Sequence, residues 1–347
     1  MRQGISSSKG GSRRDRDRLS AKASTVNKAQ KEGRVLVYGT VELDEFSGWK
    51  KSFEKKYPGV EVEYRREYVP GTPPPMAKKI MEEDKAGKET ADAVIVAVPP
   101  LMQFWDLKLL SKIRLREATA YPPDYRQPEG YWFPIVSIPM VQVYNPRLVA
   151  KGELPRRALD LTAPEWRDAI VTHDLSLGTL GAYWLASLRP IFGEKKWSNF
   201  VRGLAKNRPK AYPLYDTVVD SVTSGETKVG LTVLLHDFLK AKRAKRDIER
   251  LKLEDVPMMM TFNAIAKTRA GKHPASTELL MDFLISKEGQ KKVGSTYLRI
   301  PARTGTDAPY SLDKFVRKEK LTVFPNPEML PSTADSISSL ARLFERR

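Results

Sequence analysis

Cysteine is absent from the 347 residues. That excludes a disulfide frame, a thiol nucleophile and any thiolate metal site. No run of about 20 apolar residues occurs, so no segment reads as a bilayer-spanning helix. A G-x-G-x-x-G fingerprint is missing after the first strand-like segment, and G-x-S-x-G and H-E-x-x-H are missing too. Dinucleotide binding, a serine hydrolase elbow and a zinc-protease helix therefore have no direct support. Asn and Gln are sparse while Lys, Arg, Glu and Pro are plentiful, a balance that fits a heat-adapted protein.

What is present is a soluble, globular composition, 41% apolar and 29% charged, in a chain long enough for about two domains. The formal net charge of +18 concentrates in two places. One is the Ser/Gly/Arg-rich start, residues 1–31, which has little to bury and reads as a disordered basic arm. Within it "SRRDRDRL" matches a twin-arginine export motif, but the apolar stretch of a signal peptide does not follow. The other is "LKAKRAKRDIERLK", Leu239 to Lys252, which reads as a solvated helix face. No aromatic platform accompanies either run, so nucleic acid is not an expected partner; attraction to an anionic membrane surface is the weaker alternative.

Along the chain, Arg34 to Tyr38 reads as a buried strand ending at Gly39-Thr40. A helix from Leu43 to Lys56 follows, with Phe46, Trp49 and Phe53 on one face. Val60 to Tyr64 is a half-exposed strand, "VPGTPPP" a rigid loop, and Met76 to Lys85 a helix. Asp92 to Val98 is a β-branched run suited to a parallel strand covered on both faces. A second α/β set, Ala169 to Leu234, repeats this order without repeating its sequence. Tyr131 to Tyr144, broken by Pro134 and Pro139, suggests an edge strand or a segment passing between domains, and Val256 to Lys267 a return. Two lobes joined by two strands make a hinge with a ligand cleft between them.

The ordered motifs "EGRVLVYGT", "FEKKYPGVEVE", "ADAVIVA", "VYNPRLV", "LDLTAPEWRDAIV", "SLGTLGAYWLASLRPIFGEKKW", "SGETKVGLT" and "AIAKTRAGKHPASTELLMDFLISKEGQKKV" span roughly Glu32 to Arg303. Together they resemble ABC-transporter solute-binding proteins of the ferric-iron-binding-protein-like group. The resemblance implies an α/β, two-lobed periplasmic-binding-protein type II fold with mixed sheets flanked by helices and a two-strand hinge. It also implies an extracellular or periplasmic protein, monomeric, without catalysis or cofactor, that delivers a small-molecule solute to a membrane permease. Lobe 1 is expected at 32–140 with 261–305, lobe 2 at 141–260, and a C-terminal helical segment at 306–347.

Ferric members of that group hold the metal through a His or Glu after the first strand, a Glu after the "AD-apolar" strand and a Tyr-Tyr pair after the "SGE…VG" strand. The matching places here hold Glu42, Ala97, and Leu235 with His236. Loss of both phenolates and one carboxylate leaves a poor cage for a hard cation, with Glu42 and His236 as the remaining metal candidates. A small anionic or zwitterionic solute, or a metal complex, is the expected cargo.

Its candidate contacts are Gly39 and Thr40 in one lobe and Ser176, Gly178 and Thr179 in the other, each at a strand-to-helix handover where backbone N–H groups meet an anion. The same residues also suit ordinary helix caps. Tyr215, Asp216 and His236 are further cleft candidates, and Thr72 sits on the rigid loop at its rim. The competing readings are a two-lobed enzyme and an intracellular ligand sensor of the same fold.

Overall fold

The computed structural model describes residues 13–67, 76–177, 180–295, 298–308, 311, 321–323, 339–340 and 342–344. Helix α1 (Arg13–Glu32) leads into strand β1 (Arg34–Gly39). Then come α2 (Leu43–Lys56), β2 (Glu61–Arg66), α3 (Met76–Lys85), β3 (Ala93–Ala97) and α4 (Val98–Asp106). After two short 3-10 turns the long β4 (Trp132–Tyr144) opens the second set. That set comprises β5 (Ile170–His173), α5 (Leu180–Ser187), α6 (Arg189–Phe192), α7 (Glu194–Lys206), β6 (Lys210–Tyr212), α8 (Tyr215–Ser224), β7 (Val229–Leu234), α9 (Leu235–Arg243) and β8 (Glu249–Leu251). The chain returns through β9 (Met258–Lys267), α10 (Pro274–Ile285), α11 (Lys287–Ser295), β10 (Ile300–Pro301) and β11 (Leu321–Val323).

The strands form one mixed sheet in the order β2-β1-β3-β9-β4-β7-β5-β6. β1, β2 and β3 are parallel, as are β5, β6 and β7, while β4 and β9 run antiparallel to each other through the middle. β4 is buried along its whole length despite its two prolines, so it is a crossing strand and not an edge. Pro134 coincides with a shift of register against β9. Pro139 falls between the β10 partner at Ser137 and the β7 partner at Met140. At these places a missing N–H costs little of the ladder.

The period-3.6 pattern of α2 acts as expected. Phe46, Trp49 and Phe53 are buried on one face, where Phe46 stacks on Tyr64 and Phe53 meets Phe283 edge-on. Each such side chain contributes about 2 kcal/mol by leaving water. A second cluster collects Trp184, Trp197, Phe200 and Leu204 between α5, α7 and the other sheet face.

Three expectations are corrected. Residues 13–31 of the supposedly disordered arm are helical, and residues 1–12 lie outside the described residues. The reason lies at the end of α1, where Ala29 is fully buried and Glu32 caps another helix. Its carboxylate oxygens accept the N–H groups of Ala275 (3.0 Å) and Ser276 (2.7 Å) in the first turn of α10. Glu32→Ala is expected to lower stability by about 1 kcal/mol, read by urea denaturation. Secondly, the basic run from Leu239 is not one helix. α9 ends at Arg243, and Ile248 and Leu251 turn into the core beside β4. Thirdly, the C-terminal segment is not wholly helical, since β11 pairs with β9; residues 339–340 and 342–344 are helical, with Leu340 buried in the second cluster.

Candidate solute-binding cleft

The parallel strands of the first set end at Gly39, Arg66 and Ala97, those of the second at His173, Tyr212 and Leu234. β4 runs with the first set and against β7, so the two sets of carboxyl ends face each other. Asn263 pairs with both Ala97 and Val136, while Leu234 pairs with Met140. Four residues of β4, about 13 Å, therefore separate the two rows of strand ends. Open α/β sheets bind ligands outside the carboxyl ends of their strands.

Most of the sequence candidates lie along these two rows. At Gly39 a Cβ would stand 2.7 Å from the Tyr64 hydroxyl and 3.0 Å from the Ile95 carbonyl. Packing alone thus accounts for that glycine. Thr40 is partly exposed and its N–H donates to the Ile95 carbonyl at 3.0 Å. Glu42 occupies the N-cap position of α2 without capping it, and its carboxylate pairs with Arg66. Ser176 directs both its N–H (2.9 Å) and its hydroxyl (2.7 Å) to the Asp174 carboxylate, a local turn. Tyr215 stacks on His173 with ring centroids 4.0 Å apart. Asp216 is exposed and accepts the N–H of Thr217. Thr72, Gly178 and Thr179 lie outside the described residues.

His236, in the first turn of α9, joins a buried polar cluster that spans both rows. The Arg299 Nη1 lies 2.8 Å from His236 Nε2 and 3.3 Å from its Nδ1. The other edge of the guanidinium grips Glu45 of α2, Nε to Oε1 and Nη2 to Oε2, both at 2.9 Å. The side chain of Glu45 is 2% exposed and that of Arg299 15%. A guanidinium only donates, so the imidazole is the acceptor in this contact. Asp237 Oδ1 lies 3.4 Å from His236 Nε2 and 3.6 Å from the Lys240 ammonium.

Burial pushes His236 well below the usual imidazole range, and Arg299 and Lys240 push it further, so the ring is neutral. Burial raises the Asp237 carboxyl. In the second row burial lowers His173 to about 4 against the opposing pull of its backbone hydrogen bonds.

Glu45 and Arg299 escaped the sequence reading. Glu45 has the faint signal of a carboxylate one turn from Glu42 on a helix whose core face is otherwise apolar. Arg299 has less, a cation beside the short apolar strand "RIPA". Their pairing spans 254 residues, beyond any local pattern.

Among the described residues no group of three or more His, Asp or Glu is arranged to hold a metal ion. A separate cavity of about 920 Å³, lined by Lys112, Leu115, Arg126 and Phe133, lies away from the strand ends. Phe133 pairs with Ile265, level with Ile95 in the middle of β3 and short of the strand end at Ala97.

A family model described as bacterial extracellular solute-binding protein matches residues 88–326. The chain belongs to this family. It is a solute-binding protein of the ABC-importer type, which implies a membrane permease as partner. The chain is 23% identical over 266 residues to an Fe(3+)-binding periplasmic protein of Serratia marcescens, covering 74% of this chain and 75% of that one. Among solved structures, iron-bound HitA from Pseudomonas aeruginosa superposes with a TM-score of 0.73 at 23% identity, covering 90% and 99% of the two chains. AfuA from Actinobacillus pleuropneumoniae, with fructose-6-phosphate bound, gives 0.70 at 22% identity, covering 89% and 97%. At such identities these structures establish the two-lobed fold. No helix among the described residues of this solute-binding protein is long and apolar enough to cross a membrane.

Proposed function

We propose that this solute-binding protein captures a small anionic or zwitterionic solute between its lobes and not a bare ferric ion. The supporting observation is the state of the acidic groups at the strand ends. Glu42 is paired with Arg66 and Glu45 is held on both oxygens by Arg299. A hard trivalent cation wants anionic oxygen ligands. It would have to break these pairs and approach two guanidinium charges, with a neutral His236 and a leucine where the ferric members of the resembled group carry tyrosines. An anion meets the opposite field, to which Lys240 and the N-terminal turns of α2 and α9 contribute. The two relatives divide the same way by name, one iron-bound and one holding a sugar phosphate.

On this reading the lobes are residues 32–140 with 261–305, and 141–260, closing on the solute because the bound form gains contacts from both. The protein acts outside the cytoplasm as a monomer, by binding alone, and the membrane surface is a secondary attraction for its basic runs. Membership in the family favours that reading over an enzyme or an intracellular sensor.

The test is a thermal-shift panel of inorganic phosphate, fructose 6-phosphate, phosphonates, polyamines, thiamine phosphate, sugar acids and ferric citrate. A ligand at a hundredfold its Kd stabilises by about 2.7 kcal/mol, a readily resolved shift. Stabilisation by phosphorylated or carboxylated solutes is expected. Stabilisation by ferric ion alone would overturn the assignment.

A further inference from the structure

The cluster on the cleft floor has a geometry that the candidate residues read from the sequence do not explain. Ile300 pairs with Ser137 and Leu234 with Met140, both on β4. Continuing those antiparallel registers brings Arg299 and His236 to the same level, beside Ile138, in the gap between the two rows of strand ends. Arg299 thus reaches from the edge of the first set and His236 from the end of the second.

We infer that Arg299 is the specificity-determining residue of this cleft, a guanidinium that Glu45 holds in a fixed orientation so that its Nη1 edge receives an oxyanion of the solute, with His236 as its resting partner. The inference rests on the anionic reading above and sharpens it to solutes carrying a phosphate, phosphonate or carboxylate group. Three observations support the arrangement. Glu45 takes the Nε and Nη2 donors in a two-point grip, which fixes the plane of the fork without occupying Nη1. The partner at Nη1 is an uncharged imidazole, a weaker acceptor than an ionised oxygen and therefore replaceable by one. Arg299 is nearly buried, where a charge-assisted hydrogen bond is screened less than at the surface. A lysine in that place would supply charge without the fork.

Isothermal titration of the full chain with inorganic phosphate and fructose 6-phosphate tests this, comparing wild type with R299K, R299Q and the double variant E45Q/R299Q. The double variant removes both buried charges together and so keeps a folded comparator if R299Q alone fails to fold, as circular dichroism will show. Affinity is expected to fall about ten- to a hundredfold in R299Q and in E45Q/R299Q. In R299K most of that loss should persist. In wild type, the probe should also move the His236 imidazole nitrogen resonances, because Nη1 leaves the ring; a merely structural role for Arg299 would not do this. If wild type binds the anionic probes and the folded variants bind equally well, the role of Arg299 falls while the anionic reading stands. Wild type that binds neither probe nor any other oxyanion of the panel overturns both.

Discussion

Replacing Asp92 with alanine should cost this protein about 3 to 5 kcal/mol of stability, the largest single-residue effect we expect, while leaving solute affinity intact wherever the chain is folded. Asp92 is 1% exposed. Its Oδ2 accepts the Leu36 N–H at 2.7 Å and lies 2.9 Å from His273 Nδ1, and its Oδ1 accepts the His273 N–H at 2.9 Å. One carboxylate thereby ties β1 to the loop that enters α10. Alanine leaves the buried Leu36 N–H and two part-buried His273 donors without their acceptor, and each abandoned buried donor costs about 1 to 3 kcal/mol. An asparagine side chain would retain one acceptor oxygen, so D92N should lose about half as much. The residue stands just before β3, five residues and roughly 16 Å from Ala97 at the cleft end, which is why binding should be spared. Urea denaturation of wild type, D92A and D92N measures the first part, and titration with the ligand found in the thermal-shift panel measures the second. A D92A protein with wild-type midpoint would sink the argument.

Acid should destabilise the fold through its two buried neutral histidines. His173 is 2% exposed, stacks on Tyr215 and makes a 3.0 Å ring contact with the Pro213 carbonyl; burial lowers it to about 4. His236 is also lowered, by burial and by the cations Arg299 and Lys240. In the unfolded chain both return to about 6.5. As pH falls below that value the unfolded state takes up protons that the native state refuses, so the stability these histidines contribute is fully present above pH 6.5 and drains away below it. For His173 the loss runs from about 6.5 to about 4 and amounts to roughly 3 kcal/mol when complete. Chemical denaturation at pH 7 and at pH 4.5 should therefore differ by several kcal/mol, with part of the difference due to carboxylates. H173F separates the contributions. It retains an aromatic ring against Tyr215 but cannot titrate, so its stability should vary less steeply with pH. An unchanged slope would show that His173 is protonated in the native state.

Much of the architecture was already legible in local pattern. The β-branched run at 93–97, the one-sided apolar spacing of Phe46, Trp49 and Phe53, and the doubled α/β order are short-range signals, and the structure realises each where expected. Where expectation failed, a distant partner had changed the outcome. Residues 13–32 of the basic arm are helical because Glu32 finds the unsatisfied N–H groups of α10 more than 240 residues away. The proline-broken segment 132–144 is a central strand because its prolines fall at a register shift and at a gap between neighbours, neither of which exists until β7, β9 and β10 are in place.

The same division holds at the site. The sequence by itself determined, from residue type and spacing along the chain, a doubled α/β order and the absence of thiolate chemistry. Its ordered motifs resemble solute-binding proteins, and set against that resemblance the tyrosines of the ferric members are missing. Only the tertiary structure decided which charged groups meet between the rows. Ser176 turned out to be spent on Asp174 and Gly39 on packing against Tyr64, while Glu45 and Arg299 came together with His236. Whether a carboxylate can serve as a ligand depends on who already holds its oxygens, and ion pairing joins residues by distance in space, to which their separation along the chain is no guide.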